Sequence, residues 1–278
     1  MRKTFKTYWG VLWGLVFGIW GFSMSAAEPA RGKYESGFDT LARIAEDLYR
    51  ALPKEKRAIM LPRPVMLDKI KTPYLQPGAQ TKDQTNWQAI YVSPPLIDVL
   101  NYVSHAKAVD NVDSGFFAKA INSLASENGT RLAGLYQPTH KKSWDFNTMN
   151  WQLSHFNQMA AGLIAIDMAH HYLGHYSKYA AQLGDAKNPV PFYSVLTQKE
   201  WREAVLAGSR HALDCGLAPE GLVVLYDAIT RMPRRPSWAI HVMPPSAEVS
   251  ILRLELNRVE ATFFDSRTAA RDALQWSW

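Results

Sequence analysis

The chain has 278 residues, of which 47% are hydrophobic and 20% are charged, and its formal net charge is +6. This composition excludes an intrinsically disordered chain, and the length predicts one main domain with a sizeable core. A phosphate-binding groove would need basic residues gathered in one place, so the modest charge surplus predicts no nucleic-acid partner. The single cysteine, Cys215, excludes an intrachain disulfide.

The first 27 residues differ from all that follow. They begin with three cations and continue as an uncharged run from Thr7 to Ala27, which ends in small residues just before Glu28. This pattern predicts a secretory signal peptide at 1–27 and a periplasmic or secreted location for the rest of the chain, which we expect to form a single, mainly helical domain at 28–278. The run is also about as long as the roughly 20 residues that a spanning helix needs. An uncleaved N-terminal anchor therefore stays open, and only that alternative predicts attachment to a membrane.

The first elements after the signal are a helix, a loop, a strand and a second helix. Apolar residues recur at helical spacing from Ser36 to Leu52, where Pro53 ends the pattern. Five prolines between Pro53 and Gly78 predict a loop across the surface. The best strand candidate is 87–93, and the prolines that follow it suit the first turn of a helix.

The rest of the chain is predicted to be helical. Helices are expected at about 114–126, at about 150–183, from a capping box at Thr197 and Glu200 to Gly216, from Pro219 to Met232, and at 248–264, with an extended segment at 233–245. The sum is a predominantly helical α+β fold with a small sheet or hairpin.

The residues that point to chemistry lie in the long central helix. Asp167, His170, His171 and His175 fall within nine residues of an otherwise apolar run. Asp167, His171 and His175 share one helix face, but the first and last lie about 12 Å apart, so at most two neighbours can share an ion. The best bidentate pair is His171 with His175, and Asp167 with His170 or His171 is the competing pair. The alternative is a buried polar cluster satisfied by hydrogen bonds, and we expect such a bond for His170.

The run from Ala165 to His175 resembles the active-site helix of gluzincin metallopeptidases, which reads A-H-E-x-A-H. That lineage includes heat-shock membrane proteases, prenyl-protein proteases and periplasmic chaperone-proteases. The strand and helix at 89–100 are similar to the lineage's edge strand and following helix, and the stretch from Glu203 to Leu222 is similar to its E-A-D helix. The likeness covers about 87–229, and it implies a zincin-like helical core and a zinc cofactor.

The resemblance also assigns positions at which this chain differs from the lineage. In the register of the motif, Ile166 stands in the place of the first histidine ligand, Asp167 in that of the catalytic glutamate, and Trp201 in that of the third ligand. Only His170 is retained. A shifted register from His171 to His175 restores both histidines but puts a tyrosine, Tyr172, where the general base belongs.

The leading hypothesis is an exported metal-binding protein that resembles a zinc metallopeptidase and hydrolyses peptide bonds of protein or peptide substrates in the cell envelope. It takes Asp167 as the catalytic residue, zinc as the cofactor, and draws the metal ligands from a set of five: His170, His171, His175, Glu200 and Glu203. The alternative is a catalytically inactive zincin-like scaffold or binding protein of the envelope. A metal-dependent phosphoesterase would need further His and Asp ligands, and the chain has few to spare.

Overall fold

The computed structural model describes residues 34–77, 88–126, 135–183 and 190–275. Over these ranges the fold is a predominantly helical α+β fold with a small sheet, which confirms the predicted fold class. The predicted signal peptide or anchor lies outside the described residues.

The helices are α1 (Phe38–Ala51), α2 (Lys54–Arg57), α3 (Pro94–Val109), α4 (Phe116–Ser126), α5 (Phe146–Tyr172), α6 (His175–Tyr179), α7 (Phe192–Val195), α8 (Gln198–Asp214), α9 (Gly221–Arg231) and α10 (Val249–Gln275). Five of the described helices are long, namely α1, α3, α5, α8 and α10, and the other described elements are shorter. The strands are β1 (Val65–Leu67), β2 (Leu75–Pro77) and β3 (Ile90–Val92), and 3₁₀ turns occur at Ala180–Gln182 and Ser237–His241.

Two helices start where the sequence predicted, α3 at its proline pair and α8 at its capping box. Ser93 accepts the Leu96 N–H at the start of α3, and two prolines occupy its first turn. At the start of α8 both halves of the capping box are formed between Thr197 and Glu200. These predictions are confirmed because a cap is a local interaction of residues a few positions apart.

The three strands form one sheet of order β1-β3-β2, with β1 parallel and β2 antiparallel to β3. The prediction of a strand at 87–93 is confirmed by β3, whereas the prediction of a loop at 53–78 is wrong for α2, β1 and β2. Strands of three residues are too short to show a periodicity, and only their pairing with β3 makes them strands. Prolines are compatible with this sheet although they have no N–H to donate. Pro64 takes part through its carbonyl, which accepts the Ile90 N–H at 2.7 Å, and Pro77 is the last residue of an edge strand.

Helix α5 lies at the centre of the core, where α1, α3, α8 and α9 pack against it. Its second half, from Met159 to His171, is buried on all sides, as expected of a helix that is apolar around its whole circumference. Helix α8 lies close to α5 because Gly208 has no side chain, and a Cβ there would lie 2.7 Å from the Ala165 carbonyl. The end of α5 is therefore enclosed by other elements.

Two later elements differ from the prediction. Helix α10 continues to Gln275 rather than ending at 264, and the segment predicted to be extended at 233–245 contains the 3₁₀ turn Ser237–His241. Among the described residues, no helix is both long and apolar enough to cross a bilayer.

Candidate functional site

The candidate site lies where α5 ends. We predicted one helix continuing to about 183, and this prediction is wrong because α5 ends at Tyr172 and α6 begins at His175. Between them Gly174 adopts φ 76°, a left-handed conformation that glycine takes at little cost and that terminates a helix. The turn places His175 on a separate helix from His170 and His171.

The turn brings His175 to His170. The two Nδ1 atoms lie 2.8 Å apart, and both rings are buried. An imidazole–imidazole hydrogen bond requires one Nδ1–H and one bare Nδ1, so at most one of the two rings can be protonated in this arrangement. Burial lowers the pKa of both histidines, far below the ordinary value for His170, which favours the neutral forms. The pair that the structure joins is thus His170 with His175.

The position of the Glu203 carboxylate indicates which ring nitrogens of the His170–His175 pair carry the protons. One carboxylate oxygen of Glu203 lies 3.7 Å from Nε2 of His175 and favours a proton on that nitrogen. The Nδ1 of His175 is then the acceptor, and Nδ1 of His170 is the donor. Nε2 of His170 is left as a bare nitrogen, buried and without a hydrogen-bond partner among the described residues. The arrangement links α5 to α6 across the Gly174 turn.

His171 does not join this pair. Its ring lies against the Tyr176 ring in an edge-on contact, with 4.3 Å between the ring centroids, and its Nε2 has no hydrogen-bond partner in the described part of the chain. Burial lowers its pKa to about 3, so the ring is neutral at physiological pH. The three histidines therefore divide into a hydrogen-bonded pair and a separate ring.

Asp167 lies one helical turn before His170 and His171 in α5, and its side chain is completely buried. Burial raises its pKa to about 7, while the hydroxyls of Tyr176 and Tyr193 favour the ionised form and limit the rise. These hydroxyls approach the carboxyl, but their geometry falls short of an ordinary hydrogen bond, and both oxygens of Asp167 lack a partner within the described ranges. Asp167 therefore belongs to an apolar, aromatic environment rather than to a solvated cleft.

We call Asp167, His170, His171, His175, Tyr176 and Tyr193 the histidine cluster. Phe192 closes it, since its ring centroid lies 4.1 Å from that of Tyr176 and 5.0 Å from that of His170. Sequence reasoning missed Tyr193 and Phe192, which reach the cluster from α7. The only signal for them was an aromatic pair directly after a proline.

The two predicted glutamate ligands have different surroundings. Glu200 accepts hydrogen bonds from the backbone and hydroxyl of Thr197, from Tyr179 and from Lys178. Burial opposes its ionisation, but these partners, Lys178 foremost, outweigh burial and lower its pKa to about 2. Glu203 is about half exposed and lies beside His175 and Lys199. Glu200 thus caps the start of its own helix, α8, and forms an ion pair with Lys178 of α6.

The two positions that the resemblance assigns to missing ligands are filled by apolar side chains. Ile166 and Trp201 are each 1% exposed, and the Trp201 ring stacks on Tyr226 with 6.4 Å between centroids. Neither side chain offers a lone pair of the kind that zinc takes from cysteine, histidine or carboxylate.

The donor set of the histidine cluster does not fit a peptidase zinc ion. Two tetrahedral ligands on one zinc have donor atoms roughly 3.3 Å apart, whereas the joined Nδ1 atoms of His170 and His175 are 2.8 Å apart. The carboxylate of Glu203 lies at Nε2, on the other edge of the His175 ring. Over the described ranges no three His, Cys, Asp or Glu side chains are grouped so that they could hold a metal ion.

No protein-family model, curated protein or solved structure matches the chain. The resemblance to gluzincins therefore stays a prediction that depends on the residues quoted for it.

Proposed function

We propose that the chain is a non-hydrolytic, zincin-like binding or scaffold protein of the cell envelope. The observation that carries the proposal is that Ile166 and Trp201 are buried apolar side chains at two of the three ligand positions. A hydrolytic zinc site needs three protein ligands and an open water position. A set that retains one of the three ligands, His170, supports packing and not hydrolysis.

The acids around the cluster support the same proposal. A carboxylate that activates a water molecule must reach that water, but Asp167 is 0% exposed and lies beside Tyr176 and Tyr193. With a pKa raised to about 7, it is ionised in only part of the molecules at neutral pH. Glu200 already has three partners. Neither acid is placed as a general base.

The location in the envelope is supported by the sequence alone. Three cations, an uncharged run and small residues before Glu28 form the pattern of an export signal. A chain exported without disulfides depends on packing for its stability, and the extensive core around α5 provides it.

Metal analysis of the full chain, purified without a histidine tag, tests the proposal. We expect less than about a tenth of an equivalent of zinc, and a melting temperature that chelator leaves unchanged, because a bound metal would stabilise the folded state. The variants His170→Ala and His175→Ala should be compared with His140→Ala, a histidine variant outside the cluster. About one equivalent of zinc that only the first two variants lose would contradict the proposal.

A second experiment addresses function in cells. In a strain that lacks the chain and shows a defect, we expect the wild type and the double variant His170→Ala/His175→Ala to restore growth equally when their protein levels are matched. Equal levels with loss of function in the double variant alone would favour the metallopeptidase hypothesis.

A further inference from the structure

Among the described residues, one edge of the small sheet has no hydrogen-bonded neighbour. In the order β1-β3-β2 both edges of β3 are paired, and β2 is buried, with the Phe192 N–H of α7 donating to the Gln76 side-chain oxygen at 3.4 Å. Strand β1 forms the other edge, and its last residue, Leu67, is 38% exposed. The unpaired backbone groups of such an edge can bind an extended chain as a further strand.

The hydrogen bonds of β1 indicate which of its backbone groups are free. The Pro64 carbonyl accepts a hydrogen bond from β3 at 2.7 Å, and the Asp68 N–H donates one to β3 at 2.8 Å. In a parallel ladder every second residue of a strand turns its N–H and its carbonyl to the partner, so Met66 faces β3 as well. The N–H and carbonyl groups of Val65 and Leu67 therefore face outward, and neither residue has a backbone partner there in the described part of the chain.

A cavity of about 370 Å³ lies beside this edge, between α1 and β1. It is lined by Phe38, Ala42 and Glu46 of α1 and by residues 63–67. Because the three residues of α1 are spaced four apart, they share one face of the helix. A volume of this size is in the range of roughly 300–1,000 Å³ that is typical of ligand sites. The cavity could therefore receive side chains of a strand that adds to β1.

The alternation of side chains along β1 decides which side chains of an added strand would face the cavity. Val65 belongs to the main core together with α1, whereas Met66 packs with Tyr74 and Tyr91 on the other face of the sheet. Leu67 shares the face of Val65, because side chains alternate along a strand. Residues directly opposite each other in an antiparallel pair also share a face. Two residues of an added strand, at positions i and i+2, would thus turn their side chains toward α1.

One charged side chain at this edge is free to bind a further group. Arg63 lies just before β1, is exposed, and has no ion-pair partner among the described residues. Glu46, the carboxylate in the cavity lining, is bound by Arg50 at 3.1 Å. On an antiparallel strand the residue opposite Arg63 follows the one opposite Val65 by two positions. An acidic side chain is favoured at that position, because opposite charges across a strand pair attract.

We propose that the β1 edge binds an extended peptide as an antiparallel strand. Apolar residues at positions i and i+2 pair with Leu67 and Val65 and face the cavity, and an acidic residue at i+4 lies beside Arg63. The backbone bonds supply affinity and the cavity selects the side chains. The strand that the gluzincin resemblance treats as an edge, β3, is paired on both sides, so the site at β1 is not one that the resemblance implies. The inference goes beyond the proposed function and does not depend on whether the histidine cluster binds zinc.

The test uses the full chain and the synthetic peptide Ser-Leu-Thr-Val-Thr-Asp-Ser, which is amidated at its C-terminus and carries fluorescein at its N-terminus. Binding is measured by fluorescence anisotropy as the protein is titrated. One modified peptide is N-methylated at the leucine and the valine, whose N–H groups face β1 in the antiparallel register. Its matched control is N-methylated at the two threonines, whose N–H groups face away.

We expect saturable binding below about 300 μM protein. Methylation of the leucine and valine should weaken it at least about tenfold, and methylation of the threonines about twofold at most. Absence of saturable binding, or a loss from the methylated threonines that is at least as large, would overturn the proposal. These peptides test it on the unaltered protein, so the result does not depend on whether a variant folds.

Two protein variants locate the peptide at the proposed edge. Ala42→Leu fills the cavity, and its control, Ala51→Leu, places the same side chain at an exposed alanine of α1. Leu67→Pro removes an outward N–H at an edge position that tolerates proline, whereas Leu67→Val retains it. We expect the first variant of each pair to weaken binding at least about fivefold and the second to stay within about twofold. Wild-type affinity in Ala42→Leu and Leu67→Pro would place the peptide elsewhere and overturn the proposal.

The charge preference and the rival occupant are tested separately. A peptide with lysine in place of aspartate should bind at least about threefold more weakly to wild type, but no more weakly to Arg63→Glu. Equal affinity for wild type would remove the acidic residue from the proposal. The rival occupant is a second copy of the chain. A dimer in sedimentation that Leu67→Pro dissociates, with no peptide binding by wild type, would assign the edge to self-association and overturn the proposal.

Discussion

Helix α5 carries two clusters of buried polar residues, one near each end of the helix. Near the N-terminal end, the Gln152 amide donates to the hydroxyls of Ser36 and Ser104 and to the Asn101 side-chain oxygen, at 3.0 to 3.2 Å. The Asn101 amide in turn donates to the Ser36 and Ile97 carbonyls. Near the C-terminal end, six buried atoms of the histidine cluster have no partner among the described residues, namely both oxygens of Asp167, Nε2 of His170 and His171, and the hydroxyls of Tyr176 and Tyr193.

The two clusters differ in what they contribute to the stability of the fold. A satisfied buried network fixes the relative position of the elements that share it, here the segment before α1 with α3 and α5. A buried polar atom without an ordinary hydrogen bond costs free energy. The Tyr176 and Tyr193 hydroxyls face the Asp167 carboxyl and offset part of that cost, so the histidine cluster contributes less to stability than the Gln152 network does. The contrast predicts opposite responses to mutation at the two ends of α5.

The largest effect is expected from Asp167→Asn. The folded-state pKa of Asp167 is raised to about 7, above the unfolded value, so the carboxyl loses its proton first in the unfolded state, and stability falls as the pH rises from about 4 to 7. Three pKa units correspond to about 4 kcal/mol. We expect the variant to be more stable than wild type by about this amount at pH 8, and equally stable near pH 4, in urea unfolding.

The matched control for this variant is Asp265→Asn, which changes an exposed carboxyl on α10. It removes one carboxylate charge at an exposed position and so measures what the loss of charge alone does to the free energy of unfolding. If Asp167→Asn kept the wild-type slope between pH 4 and 7, the buried carboxyl would not be a source of instability.

Gln152→Leu is expected to act in the opposite direction. The substitution removes three hydrogen bonds and leaves Ser36, Asn101 and Ser104 in the core with lost partners. The free energy of unfolding should fall by about 3 kcal/mol, independently of pH, since no ionisable group is involved. Leu153→Gln on the partly exposed side of α5 is the reverse substitution at a neighbouring position and should change it little. A neutral effect of Gln152→Leu would remove the distinction between the two ends of α5.

A smaller effect is expected from His171→Phe under acidic conditions. Burial lowers the folded-state pKa of His171 to about 3, so below pH 6.5 the unfolded state binds a proton that the folded state does not. Wild type therefore loses stability as the pH falls, by about 2 kcal/mol between pH 6.5 and 5 from this residue. The phenyl ring suits the contact with Tyr176 and does not titrate. The variant should lose about 2 kcal/mol less than wild type between pH 7 and 5, and an equal loss would contradict this account.

The smallest effect is expected from Thr197→Ala. It removes the hydroxyl that caps α8 and one of the partners of Glu200. A lost N-cap costs about 1 kcal/mol, which should appear in the midpoint of urea unfolding. Thr197→Ser retains the hydroxyl and should be close to wild type. If both substitutions were silent, Glu200 would not depend on its cap and would be freer to bind a ligand than we infer.

The predictions from sequence agree with the structure where the cause is local. The helix starts at Pro94 and Gln198 could be predicted because a proline pair in the first turn and a capping box each act on the backbone within a few residues. The strands β1 and β2 could not be predicted, since each has three residues and no periodicity, and both exist through pairing with β3.

The same division holds at the candidate site. The sequence by itself determined that Asp167, His170 and His171 lie together in a buried helix, because apolar residues surround them at every helical position. Only the tertiary structure decided their partners. A left-handed glycine at 174 turned His175 toward His170, and α7 brought Tyr193 to Asp167 from outside the helix. Periodicity describes one element at a time, whereas the partners of a buried side chain are set by how separate elements pack.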